Sequence, residues 1–565
     1  MRPRVALLGL LAACAGPAAP AGQPQDTAGG ADTVIPAIPV ASGPTSGTSP
    51  DHDRDGFTAD LDCDDDDRDS YPGAPEACGD GVINNCAERP HLGETEDCLL
   101  LGPEDAFSSM RLSSIYTTET GLDVSVVGDV DGDGQWDIGI GSSGDGWVEE
   151  VWDPEHAVWV QIYHVTGAIS VHSGLLSTPS DEDVLIRDLP RFLGPSEEYP
   201  IGASLGGVGD IDGDGYDDLV VGDEQNNDGV SPDHGWLVWG PAALSDWDRD
   251  ALLLRTADNI SCAFSRPGPA GDLTGDGQID LILNDRCTDT VYLLSGAGLR
   301  AGELSPVVEL AEPSAIWYGF GHAVMGDVDL TGDGLVDLVV GAPLRERRVD
   351  VVTDVGFVAL FEGPLTAGSG ALLTPDDALL RLDAEDKVDW SEYRRFGSEV
   401  SAGDMNGDGY ADLALGDPSC YRDPDVYGVA YVFAGPIEAD LRTEDAVFNL
   451  LGEAYAGRGY VGGEIDLRQD LDGDGRADLF TSGGNNIGEL GGPGGYYAAN
   501  KLGWVVRAPL AGSLRERYAD LILNAPDIEL WAYQSMATPD ITGDGRPDLL
   551  IGGPSNSYHL FASPW

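Results

Sequence analysis

Residues 209–222 read GDIDGDGYDDLVVG, and this stretch decides the fold. Counted from Asp210, oxygen side chains stand at positions 1, 3, 5 and 9 (Asp210, Asp212, Asp214 and Asp218), with Gly213 and Gly215 at positions 4 and 6. The glycines let the backbone curl so that the carbonyl of Tyr216, at position 7, can join the ring of oxygens. Hard oxygen ligands in that number suit Ca²⁺. A helix-loop-helix site would need a bidentate Glu at position 12. Here position 12 is Val221, inside the apolar run Leu219-Val220-Val221, so the loop joins two strands rather than two helices.

The stretch recurs seven times. The other copies read GDVDGDGQWDIGIG from Gly128, GDLTGDGQIDLIL from Gly271, DVDLTGDGLVDLVVGAP from Asp327, GDMNGDGYADLALGDP from Gly403, QDLDGDGRADLFTSG from Gln469 and PDITGDGRPDLLIGGP from Pro539. The ligand sets they predict are Asp129, Asp131, Asp133, the Gln135 carbonyl and Asp137; Asp272, Thr274, Asp276, Gln278 and Asp280; Asp329, Thr331, Asp333, Leu335 and Asp337. The remaining three are Asp404, Asn406, Asp408, Tyr410 and Asp412; Asp470, Asp472, Asp474, Arg476 and Asp478; Asp540, Thr542, Asp544, Arg546 and Asp548. Successive copies are 81, 62, 57, 75, 66 and 70 residues apart, room for four short antiparallel strands each. Repetition at that spacing predicts an all-β propeller with one blade per copy, hence seven complete blades. The last copy stops after its third strand, at YHLFASPW, while AFSSMRLSS (Ala106 to Ser114) precedes the first loop. The N-terminal strand is therefore expected to close the last blade, leaving no open edge.

Two further signatures accompany the loops. Phe320-Gly321 and Gly341-Ala342-Pro343 flank the fourth copy, and Phe396-Gly397 with Gly416-Asp417-Pro418, and Gly552-Gly553-Pro554, are variants of them. In these residues the chain resembles the FG-GAP repeats of the integrin α-subunit propeller over about residues 101 to 565. The third copy departs most, with Phe264-Ser265 and no terminal Gly-Ala-Pro. The resemblance implies calcium loops on one face and ligand recognition on the other. Aromatic and basic residues fall in the connections assigned to that second face: Trp147, Trp152 and Trp159; Tyr496 and Tyr497; Arg345, Arg347 and Arg348. Tyr199, Trp317, Trp390, Tyr455 and Trp531 stand between copies. Such residues suit stacking on sugar rings or anchoring a protein.

The chain carries 99 Asp and Glu against 30 Lys and Arg, a formal charge of −69, which argues against nucleic acid as a partner. Of the acidic residues, 24 stand at ligand positions of the seven loops. Without a cation each cluster repels itself and opposes folding.

The first hundred residues divide into three. Arg2 and Arg4 precede the apolar run Val5 to Ala13, which is too short to span a membrane and shaped like a signal peptide. It ends in Leu11-Ala12-Ala13-Cys14, which resembles a bacterial lipoprotein box and implies a lipid on Cys14, the lipid serving as the only membrane contact, and an outer-membrane, surface-exposed location. Secretion is the alternative. Residues 15–50 are rich in Ala, Pro, Gly, Ser and Thr and read as a disordered tether. Residues 51–100 form an Asp- and Cys-rich unit in which Asp51, Asp53, Asp55, the Phe57 carbonyl and Asp62 follow an EF-hand-like spacing. That unit resembles thrombospondin type 3 repeats. Cys63, Cys78, Cys86 and Cys98 read as a small disulfide knot of open pairing, Cys262 and Cys287 could bridge the hairpin of the third copy, and Cys420 is left over.

HExxH and GxxxxGK[ST] are absent from the chain, and its eight histidines follow no repeat spacing. The expectation is a calcium-binding, surface-anchored module, not an enzyme, that recognises an extracellular glycan or protein. A polysaccharide lyase built on the propeller and a purely structural envelope protein are the alternatives.

Overall fold

The computed structural model describes residues 99–101, 108–111, 123–142, 146–153, 158–165, 168–172, 184–185, 191–193, 201–223, 235–240, 251–254, 270–285, 289–311, 319–343, 356–365, 371–384, 395–423, 426–453, 461–483, 502–524, 535–553, 557–563 and 565. The signal segment, the tether and nearly all of the Cys-rich unit fall outside them.

The strands after each loop are apolar without alternation because both faces of each sheet are buried. In Asp218–Asp223, Leu219 and Val221 pack with Val127 and Ile169 of the preceding sheet, while Val220 packs with Leu281 and Leu283 of the following one. The pattern continues round the chain: Ile282 and Val291 with Leu338 and Phe357, Val339 with Leu413 and Tyr431, Val432 with Leu479 and Trp504. Phe480 and Val505 then pack with Leu549 and Phe561, and Leu550 and Leu560 return to Ile138 and Ile140 of the first sheet. Each sheet thus buries both faces against its neighbours, and the last meets the first. The fold is an all-β propeller.

Six sheets hold a complete four-stranded meander. The second, for example, runs Ile201–Gly209, Asp218–Asp223, Gly235–Val238 and Ala251–Leu254, each strand antiparallel to the next. The third is the exception. Among the described residues its meander comprises Leu281–Asp285, Thr290–Leu294 and Val308–Ala311, with an isolated bridge from Ala270 to Gly326 on its inner side. The expectation of seven complete blades is corrected to six. The sequence just ahead of the bridge, outside the described residues, carries Pro267 and Pro269, which have no N–H to give a ladder.

Ser108–Arg111 pairs antiparallel with Ser557–Phe561, Ser108 opposite Leu560, so the N-terminal strand completes the last sheet as expected. A second exchange was not expected. In five sheets a short segment from elsewhere adds in parallel outside the fourth strand. Gly512–Arg515, from the sixth repeat, lies along Phe448–Leu451 of the fifth; Leu441–Arg442 lies along Leu382–Asp383; Ala371–Leu373 along Val308–Leu310. Leu99–Leu101 and Val184–Leu185 do the same for the sixth and seventh sheets. In these five sheets the added segment covers the outer edge, which would otherwise offer unpaired backbone groups.

Gly146–Asp153 and Val158–Val165 form a separate two-stranded hairpin between the second and third strands of the first sheet, with Trp152 opposite Trp159. The three tryptophans assigned to a connection therefore stand on strands. The other aromatic and basic residues named for that face lie outside the described residues, as do Cys14, Cys262, Cys287 and the Asp51–Asp62 spacing.

Candidate metal centres

All seven loops are described, and one hydrogen-bonding scheme builds them. The position-4 glycines have φ between 71° and 79° and the position-6 glycines between 85° and 96°, the left-handed region that a side chain disfavours. This curl turns backbone N–H groups inward. Position 1 accepts from the N–H of position 6, as in Gly215 to Asp210 (3.0 Å) and Gly475 to Asp470 (2.8 Å). Position 5 accepts from position 7, as in Tyr216 to Asp214 and Arg546 to Asp544.

Position 9 does a different task. Asp137, Asp218, Asp280, Asp337, Asp412, Asp478 and Asp548 are all buried at 0–1% exposure. In Asp218 one oxygen accepts from Ile211 N–H (2.9 Å) and the other from Gly240 N–H at the end of the third strand (2.9 Å). Asp412 does the same with Met405 and Gly435, and Asp478 with Leu471 and Ala508. The position-9 carboxylate pins its loop to its own sheet. Burial pushes its pKa up, to about 7 in Asp137 and Asp218 and to about 6 in Asp280, Asp478 and Asp548. For Asp137 the neighbouring carboxylates of Asp131, Asp133 and Asp129 push the same way.

The structure sorts the loops by position 3. Where it is Asp, three carboxylates converge: Asp129, Asp131 and Asp137; Asp210, Asp212 and Asp218; Asp470, Asp472 and Asp478, each with ligand oxygens within 4.8 Å of one another. Asp133, Asp214 and Asp474 stand outside these triads, each accepting from the N–H of position 7. In the first loop Asp129 Oδ1 and Asp137 Oδ1 are buried with no hydrogen-bond partner. Two orphaned anionic oxygens beside a third carboxylate fit a divalent cation. In three of the four loops where position 3 is Thr or Asn, the side chain donates to position 9 instead: Thr274 Oγ1 to Asp280 (3.2 Å), Thr542 Oγ1 to Asp548 (3.1 Å), Asn406 Nδ2 to Asp412 (3.3 Å); Thr331 Oγ1 of the fourth loop is buried without such a bond.

Residues outside the repeat pattern also reach the loops. Asp217, at position 8 of the second loop, accepts from Asp129 N–H of the first (2.8 Å), and its own N–H donates to the Asp129 carbonyl (3.1 Å). Ser295 Oγ donates to Asp276 (2.7 Å), Arg300 Nε to the Ile211 carbonyl (2.8 Å), and Arg507 approaches Asp472. The Asp217-Asp218 doublet was visible in the sequence; the other three stand at no fixed offset.

In the fourth and fifth sheets the FG and GAP signatures meet across the sheet. Gly321 N–H donates to the Gly341 carbonyl (3.0 Å) and Gly397 N–H to Gly416 (2.9 Å), while Phe320 and Phe396 are fully buried. Phe396 meets Tyr431 edge to face at 5.7 Å.

The FG-GAP repeat family matches residues 396–433. Mouse integrin alpha-IIb is 41% identical over 122 residues, which is 21% of this chain and 11% of the integrin. Bovine phosphatidylinositol-glycan-specific phospholipase D is 29% identical over 283 residues, 46% of this chain and 30% of that protein. The match thus spans 11% to 30% of the length of these relatives. Among solved structures, that of Saccharomyces cerevisiae Sqt1 aligns over 82% of this chain and 99% of its own at a TM-score of 0.40 and 9% identity. The matched repeat and the integrin likeness support an FG-GAP β-propeller.

Proposed function

We propose that the chain is a calcium-stabilised interaction module that binds an extracellular glycan or protein through the face opposite the Asp-rich loops. The observation that carries the calcium reading is the convergence of three carboxylates in each of the first, second and sixth loops, with orphaned oxygens in the first. Bound Ca²⁺ would supply positive charge to those oxygens; the chain's own work there is to hold the loop in register with its sheet through position 9. The integrin likeness supports an adhesive or recognition role. Fold analogy does not name the ligand. The lipoprotein-like start, with Cys14 as lipid site and residues 15–50 as tether, supports an outer-membrane anchor for this module.

The relative that is a phospholipase brings no activity to this chain, since the likeness spans 30% of that protein. The deciding experiment screens purified full-length protein on a glycan array and on polysaccharide digests, with Ca²⁺ and with chelator. Calcium-dependent retention without product release supports the reading. New reducing or unsaturated ends would replace it with an enzyme.

A further inference from the structure

The second and sixth loops look equivalent in sequence. Each has Asp at positions 1, 3, 5 and 9, and each forms the same carboxylate triad. They differ in the cations around them. In the sixth loop Arg476 occupies position 7 and its Nη1 reaches Asp474 Oδ2 at 3.3 Å. Arg507, at the end of the third strand of the same sheet, places Nη1 3.7 Å from Asp472 Oδ2. Arg507 is also fixed from behind: Nη2 lies 3.1 Å from Asp520 Oδ1, its backbone N–H donates to Asp520 Oδ2 at 2.8 Å, and its guanidinium lies 5.6 Å from the centre of the Trp565 ring. Among the described residues the second loop has one such arginine, Arg300, which donates from Nε to the Ile211 carbonyl at 2.8 Å and whose charge acts on Asp212, against two in the sixth.

We infer that Arg507 and Arg476 are intrinsic counter-ions of the sixth loop, holding its aspartates together without an ion and making its calcium affinity lower than that of the second loop. This deepens the calcium reading and rests on it. A divalent ion entering the sixth loop meets two guanidinium groups already drawing on Asp472 and Asp474. Arg507 loses little freedom in doing so, because Asp520 and Trp565 have already placed it. Charges a few ångströms apart at a half-exposed site shift affinity by roughly tenfold each. The sixth loop is then a staple that works at low calcium, and the second is one that needs the ion.

The test uses the full chain dialysed free of metal, with Ca²⁺ titrated by calorimetry and melting followed in parallel. Asp472→Asn should remove one equivalent from the weaker class of sites, and Asp212→Asn one from the tighter class. Arg507→Gln should tighten the sixth-loop equivalent about tenfold and lower the metal-free melting temperature. Arg476→Gln, on the loop surface, should tighten it in the same direction and serves if Arg507→Gln does not fold. Neither arginine variant should change binding once Asp472→Asn is present. Arginine variants with wild-type binding curves, or an Asp472→Asn loss from the tightest class, would overturn the counter-ion role and leave the calcium reading standing. Wild-type protein that takes up no calcium removes both.

Discussion

The second loop and the seventh share one backbone and part at a single position. In the second, Asp212 brings a third carboxylate to Asp210 and Asp218; in the seventh, Thr542 donates its hydroxyl to Asp548 at 3.1 Å and its N–H at 2.7 Å. One loop gathers negative charge that only a cation can relieve. The other ties the same buried carboxylate down with hydrogen bonds. The repeat is therefore two devices under one motif, and the difference lies in whether the loop is complete before the ion arrives.

The largest effect should fall on what the two loops share. Asp218→Ala and Asp548→Ala each strand backbone N–H groups that are buried, at about 2–4 kcal/mol per site. Chemical denaturation of both variants checks this. Equal losses uphold a common role for position 9; a mild loss in Asp218→Ala alone would mean that the second loop is held by something other than its carboxylate.

Calcium removal should separate the loops next. At millimolar Ca²⁺ and dissociation constants of roughly 10⁻⁴ to 10⁻³ M, each filled site contributes about 0.4–1.4 kcal/mol. Chelation should lower the melting temperature, and Asp212→Asn should make that drop smaller. An unchanged melting temperature in metal-free protein would break the distinction between the loops.

The buried aspartates add a pH dependence with a definite sign. Burial raises Asp137 and Asp218 to about 7, and Asp280, Asp478 and Asp548 to about 6, against 3.8 for the ordinary group. Between those values the folded protein binds more protons than the unfolded one, so metal-free stability should fall as pH rises from about 4 to 7. Saturating Ca²⁺ favours the charged form and should flatten that fall. Melting curves at several pH values, with and without the ion, measure it. Metal-free stability that rises over this range would contradict the burial argument.

Much of this comparison was legible before the structure. The loop positions, the strand after each loop and the closing segment at Ala106 to Ser114 follow from hydrophobic pattern and ligand spacing, which are local. The third copy departs already in Phe264-Ser265, and Pro267 and Pro269 have no N–H to give a ladder, an effect that depends on what would have paired with them. The parallel additions are hidden in the sequence because they are 2–4 residues long and join segments far apart in the chain, as Phe448 with Gly512 and Leu99 with Leu521. The hairpin at 146–165 was taken for a connection, although Val158–Val165 is rich in residues that favour strands. Asp217 sits within the motif and was passed over at a non-ligand position. Arg507 could not be read at all, since it reaches Asp472 only because the third strand of the sheet ends beside the loop.

The smallest and sharpest contrast exchanges the two devices. Thr542→Val keeps the shape of the side chain and removes its hydrogen bond to Asp548, so it should cost about 1 kcal/mol whether or not calcium is present. Asp212→Asn should do the reverse in the second loop: it removes a like charge from the triad and so raises metal-free stability by up to about 1 kcal/mol, while lowering stability in saturating calcium. Opposite signs in metal-free protein, read from denaturation midpoints, are the decisive pattern. If both variants lose stability without the ion, the carboxylates of the second loop attract one another through bound protons, and the triad is a hydrogen-bonded cluster like that of the seventh.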